Sequence, residues 1–156
     1  MTTQASVNPW WAALTVWAVV NAVNLLQAAG FLSRLRAGDR AINHALGYVI
    51  LAMAVPAAMA LFALVRAGAG WLHWAGLVVF LLFLALMLMV DYARPVEFRA
   101  PRRPGILVPY LTLFFSAILL MGLPMFRLDR ALWLITIATT ALLLGAMVLA
   151  MRKGVG

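Results

Sequence analysis

Three amide side chains, Asn21, Asn24 and Gln27, stand three residues apart inside the first apolar stretch of the chain. This spacing places them on a shared side of a helix, drifting slowly around it. Because exposing an amide to an apolar medium is costly, we expect this side to point into the protein. Such a polar face either bonds to other helices or lines a polar pathway or ligand site.

Hydroxyl groups that could meet these amides occur at a similar depth in two later apolar stretches. They are Thr112, Ser116, Thr136, Thr139 and Thr140. Threonine hydroxyls alone are weak evidence for a site, since they can bond to their own helix backbone. The sequence therefore favours hydrogen bonding between helices and leaves a pathway as the alternative.

A second group of chemically capable residues surrounds the segment 91–105, DYARPVEFRAPRRPG. Its three prolines prevent a continuous helix and favour extended backbone lying on the membrane surface. Its arginines could bind phosphate-bearing lipid. The candidate residues for headgroup binding at this rim are Arg34, Arg36, His44, Asp91, Tyr92, Arg94, Glu97, Arg99, Arg102 and Arg103.

Asp91 falls at the carboxyl end of a predicted helix, where the helix dipole disfavours an anion. An ion pair with Arg94, Arg99 or Arg36 would compensate for this placement. A proton relay or substrate contact is the alternative.

No motif predicts a metal, a cofactor or a catalytic residue. The chain has no cysteine. His44 and His73 fall at opposite membrane faces, about 25 to 30 Å apart, so one chain cannot ligate a single ion with both. The only plausible catalytic cluster would gather His44, Asp39, Asp91 and Glu97, and it matches no known nucleophile or metal spacing.

Composition decides the medium that surrounds these residues. The chain is 67% hydrophobic, with a mean hydropathy of +1.05. A water-soluble fold of 156 residues could not hide so much apolar surface. Five stretches are each long enough to cross a bilayer as a helix. We predict an all-α integral membrane bundle in a single domain, with spans at about 9–32, 44–65, 71–91, 106–126 and 131–151.

The cationic residues predict an orientation for this bundle. Nine of the twelve fall in the connections after spans one and three and in the C-terminal tail. Cationic loops stay in the cytoplasm, so the N-terminus is predicted outside and the C-terminus inside the cell membrane. Five of the six tryptophans then fall at outer span ends, which supports five crossings.

Residues typical of helix ends and kinks add further expectations. Asn8 and Asp129 are predicted N-caps of spans one and five, Pro56 should kink span two, and Pro124 should help to end span four. Pairs of small residues in spans two and five suggest close helix packing, Ala141 with Gly145 among them. Span three is bulky and apolar all round, so we expect it to face lipid or a partner's helix.

Three functions fit these features. The leading hypothesis is a non-enzymatic membrane protein acting by association, as a small subunit of a complex or as a homo-oligomer. The second is a small transporter or channel using the polar face of span one. The third is a lipid-headgroup binder or enzyme at the cytoplasmic rim. The expected partners are anionic lipids and other membrane subunits or further copies of this chain. Nucleic acid is not expected, because the basic residues form no helix or aromatic-basic ladder outside the membrane.

Overall fold

A computed structural model describes residues 9–37, 40–96 and 103–154, and within these ranges the regular structure is entirely helical. Its helices are α1 Trp10–Ala37, α2 Arg40–Ala52, α3 Ala54–Arg66, α4 Trp71–Met87, α5 Pro104–Gly122, α6 Met125–Leu128 and α7 Arg130–Arg152, with a π-helical turn at Leu88–Ala93. They build five helical segments long and apolar enough to cross a membrane: Trp10–Arg36, His44–Arg66, Trp71–Ala93, Pro104–Leu128 and Arg130–Arg152. The five-span prediction is confirmed at this level.

The first helix continues beyond its predicted end near residue 32, through Arg34 and Arg36 to Ala37. Leucine, arginine and alanine are strong helix formers, and cations are favoured in a last helical turn. The charged residues therefore mark the end of the apolar part of this helix, but the helix itself continues to Ala37. The predicted Asn8 cap lies outside the described residues.

Pro56 and Asp129 act as predicted in the later spans, while Pro124 interrupts span four without ending it, since that span continues to Leu128. The helix of span two breaks at Met53, next to Ala52, whose carbonyl would clash with the ring of Pro56. Pro124 separates α5 from the short α6. The Asp129 carboxylate caps α7 by accepting from the backbone N–H groups of Ala131 and Leu132, at 2.6 and 3.2 Å.

Span one is the centre of the bundle. It packs against spans two and five and touches span four, while spans three and four form the most extensive neighbouring pair. In the most apolar stretch of span one, 50% of the residues are buried, against 22% in span five. Asn21 and Asn24 are buried among these helices, while Gln27, the third member of the polar face, is half-buried.

Alternating helix directions give the bundle two chemically different ends. We call the end that holds Trp10, Trp11, Trp71, Trp74 and Trp133 the tryptophan end, and the end that holds Arg34, Arg36, His44, Asp91, Arg94, Arg103 and Arg152 the arginine-rich end. Tyr48, Tyr92 and Tyr110 lie toward the arginine-rich end. Cations and tryptophans are thus concentrated at opposite ends.

Span three departs from its expected placement facing lipid or a partner. Leu77, Phe80 and Phe83 are buried within the bundle, while Leu82 and Met89 are exposed. The approach is close because the neighbouring Gly76 has no side chain: a Cβ there would lie 2.6 Å from the Met121 backbone nitrogen. A helix that is apolar on all sides therefore still has one face packed into the bundle, and in span three this face includes its glycine, Gly76.

Candidate functional site: a polar joint and an arginine-rich end

The amides of span one meet the threonines of span five. Asn21 donates from Nδ2 to Thr136 Oγ1 at 3.1 Å and accepts at Oδ1 from the Thr139 hydroxyl at 2.7 Å. Asn24 donates from Nδ2 to Thr139 Oγ1 at 3.2 Å and to Thr140 Oγ1 at 2.9 Å. We call this set, together with Trp17, the polar joint. Interhelical hydrogen bonds of this kind stabilise membrane helix pairs by about 0.6 to 2 kcal/mol each.

Trp17 belongs to the polar joint although its side chain was not among the predicted site residues. Its indole Nε1–H donates to the Leu132 carbonyl at 3.0 Å. The signal available in the sequence was position, since Trp17 is the one tryptophan placed away from the span ends. An indole N–H that is partly withdrawn from solvent favours an acceptor, and span five supplies it here.

The bonded residues keep a nearly constant separation along the chain, from 115 to 118 positions. A constant difference means that the two helices run in the same direction. The first and fifth of five alternating crossings have this relation, so the polar joint agrees with the span count independently of hydropathy.

The other predicted members of the polar face lie outside the joint. Gln27 is half-buried one turn beyond Asn24. Ser116 is half-buried and Thr112 exposed on span four, and neither hydroxyl bonds to the amides of span one. Span five alone supplies the hydroxyl partners, because its threonines directly face Asn21 and Asn24.

At the arginine-rich end, the π-helical turn presents Asp91 and Tyr92 to different neighbours. The Tyr110 hydroxyl of span four donates to Asp91 Oδ2 at 3.1 Å, and the Tyr92 hydroxyl donates to the His44 carbonyl of span two at 2.8 Å. Asp91 thus has a neutral donor that charge counting did not suggest. Of the three arginines predicted to pair with it, Arg36 and Arg94 form no ion pair with it, and Arg99 lies outside the described residues.

Tyr92 also packs in an aromatic cluster with His44 and Tyr48. Its ring centroid lies 4.4 Å from that of His44 and 4.6 Å from that of Tyr48. These are direct ring contacts, which leave no room for a ligand atom between the planes. Gly47 makes the arrangement possible, because a Cβ at that position would overlap the Tyr92 hydroxyl.

Several predicted headgroup-binding arginines are available on the surface. Arg36, Arg94 and Arg103 are exposed, and none forms an ion pair with another described residue. Arg34 is half-buried and stacks on Phe31, with its guanidinium carbon 5.5 Å from the ring centroid. Glu97, Arg99 and Arg102 lie outside the described residues.

Neither end brings together a metal site among the described residues, where no three potential ligands of the His, Cys, Asp or Glu type form a group. His73 belongs to the tryptophan end, with Nδ1 3.3 Å from the Gly70 carbonyl oxygen, far from His44 along the bundle. No family model, curated protein or solved structure matches this chain.

Proposed function

We propose that this chain is a multi-pass protein of the cell membrane that acts by association with other membrane helices, as a small subunit of a complex or as a homo-oligomer. The polar joint supports this proposal, because four hydrogen bonds between its amides and threonines hold span one to span five within the same chain. The outer surface of the bundle is then the part that other membrane helices can reach.

The observation that carries the proposal is the outer face of span five. Ala138, Ala141 and Gly145 are exposed there, on the side of α7 opposite Thr136 and Leu143. Apart from its own stretch of helix and its chain neighbours, no described atom lies within 4 Å of a Cβ placed on Gly145. Small residues at this spacing allow another helix to approach closely. The close packing that the sequence indicated at Ala141 and Gly145 is not used inside the chain.

Native mass measurement in mild detergent tests the association. We expect the wild-type protein to exceed the mass of one chain, and Gly145→Leu to shift it toward the single chain. The leucine has open space in the isolated bundle, so folding should be unaffected. Gly145→Ala is the matched control and should retain the assembly. A wild-type protein that is strictly monomeric would contradict the proposal.

The proposed orientation has the amino end outside and the carboxyl end in the cytoplasm. Nine of the twelve cations in the sequence fall in the connections after spans one and three and in the C-terminal tail, which supports this orientation. The parallel course of spans one and five supports it as well. Reporter fusions at the two termini should give opposite compartments. Both reporters in one compartment would require an even number of crossings.

A second candidate function is binding of anionic lipid at the arginine-rich end. The exposed Arg36, Arg94 and Arg103 favour it, because they form no ion pair with another described residue and exposed guanidinium groups can engage phosphate oxygens. Replacing all three with alanine should reduce retention of anionic lipid by the purified protein, most clearly at low salt. The matched control replaces Arg66, Arg127 and Arg130 at the opposite end. Equal retention in both triple variants would reject this site.

A further inference from the structure

Asn24 contains a polar atom that the polar joint does not satisfy. The residue is 0% exposed, and its Oδ1 has no hydrogen-bond partner among the described residues. It lies midway along α1, about 20 Å from either end at 1.5 Å per residue. A buried carbonyl oxygen without a donor is costly in so apolar a setting. We infer that a single water molecule binds at Asn24 Oδ1 and is shared with Gln27.

The hydrogen-bond directions explain why the open position is an acceptor. The Thr140 hydroxyl donates to the Thr136 carbonyl at 2.8 Å, and the Thr139 hydroxyl donates to Asn21. Because both hydroxyl protons are used in these two bonds, the oxygens of Thr139 and Thr140 can only accept, and they accept from Asn24 Nδ2. Rotating the Asn24 amide would face its oxygen to these hydroxyl oxygens and leave its nitrogen without an acceptor. Asn24 Oδ1 is therefore the acceptor end of the chain of bonds and needs a proton donor from elsewhere.

Gln27 is the polar side chain placed to hold that donor. It follows Asn24 by three residues, a spacing at which Cβ atoms on a helix lie about 5 to 6 Å apart. One water making two hydrogen bonds can bridge such a separation. Gln27 is half-buried and its amide forms no hydrogen bond with another described residue. The water would donate to Asn24 Oδ1 and bond to the Gln27 amide, one turn nearer the arginine-rich end.

Water-edited solid-state NMR of the full chain in lipid bilayers tests this inference. With asparagine labelled, magnetisation should pass from water to the Asn24 side chain several-fold faster than to Asn21. Asn21 is the internal control, because it is nearly as buried at 7% exposure and both its amide atoms are bonded. Equal, slow transfer to both residues would overturn the inference.

The Gln27→Leu variant tests the shared partner. It should fold, because leucine is a good helix former at a partly lipid-facing position, and circular dichroism checks this. The fast transfer to Asn24 should then be lost and fall to the level of Asn21. Fast transfer that persists unchanged in the variant would remove Gln27 from the site and overturn the proposed bridge.

Discussion

Two helix pairs in this bundle are held together by different kinds of contact, one polar and the other apolar. Spans one and five meet through amides and hydroxyls, while spans three and four meet through a glycine and a series of rings. Phe83 lies 5.1 Å from both Tyr110 and Phe114 between ring centroids, and Gly76 lets the backbones approach near Met121. In lipid there is no hydrophobic force between helices, so association depends on polar bonds or on close packing. This chain uses one solution in each pair.

The two kinds of contact determine different features of helix packing, one the alignment of the helices and the other the distance between them. Hydrogen bonds between Asn21, Asn24 and the threonines determine alignment, because a shift of one residue would leave amides unpaired. Glycine and ring packing determine distance, because dispersion contacts weaken steeply as surfaces separate. The two pairs should therefore respond differently to substitution.

The largest effect is expected where packing leaves no space. Gly76→Leu would place its side chain against the Met121 and Leu120 backbone, which cannot move aside as a flexible side chain could. We expect a loss of about 3 kcal/mol or more in the free energy of unfolding, measured in mixed detergent micelles. Gly105→Leu, which is also in a helix and in open space but lies outside the proposed association face of span five, is the control. Equal stability of the two variants would mean that spans three and four do not pack as described.

Breaking the polar joint should have the next largest effect. Asn21→Leu removes the bonds to Thr136 and Thr139 and should lower the free energy of unfolding by about 1 to 3 kcal/mol. Ser116→Ala, which removes a hydroxyl outside the joint, should be nearly neutral. If the amides line a pathway instead, Asn21→Leu would abolish flux into liposomes while stability stays unchanged.

The contrast between the polar joint and the packing at Gly76 shows which features could be predicted from the sequence and which could not. The spans, the Asp129 cap and the Pro56 break are local properties, readable from composition and helix chemistry. The bonding of Asn21 and Asn24 to span five was open to inference because few polar groups exist at that depth. The packing of Gly76 was not, since a glycine in an apolar helix gives no sign of which backbone approaches it. The Tyr110 contact of Asp91 was missed because charge counting considers only arginines.

A smaller effect is expected where a flexible side chain can yield. Gly47→Ala would push the Tyr92 hydroxyl away from the His44 carbonyl, at a cost of about 1 to 2 kcal/mol in unfolding free energy. In a Tyr92→Phe background the same alanine should cost less, because the overlapping oxygen is gone. An equal cost in both backgrounds would place the strain elsewhere.

The smallest effect is expected for Trp17→Phe. It keeps most of the ring contact and removes the bond to the Leu132 carbonyl, so the loss should be about 0.5 to 1.5 kcal/mol. Thermal unfolding followed by circular dichroism measures it. The effect should shrink in the Asn21→Leu background, where the same helix pair is already loosened; full additivity would indicate that Trp17 and Asn21 act independently.

The separation of about 115 positions between bonded residues also determines how long span one exists during synthesis before its bonding partner has been made. At roughly 5 to 20 residues per second, a ribosome needs on the order of 6 to 20 s to travel from Asn21 to its threonine partner. During that interval the amides of the first helix lack the threonine partners that they have in the folded chain. Synthesis of this protein thus includes a waiting period before the polar joint can form.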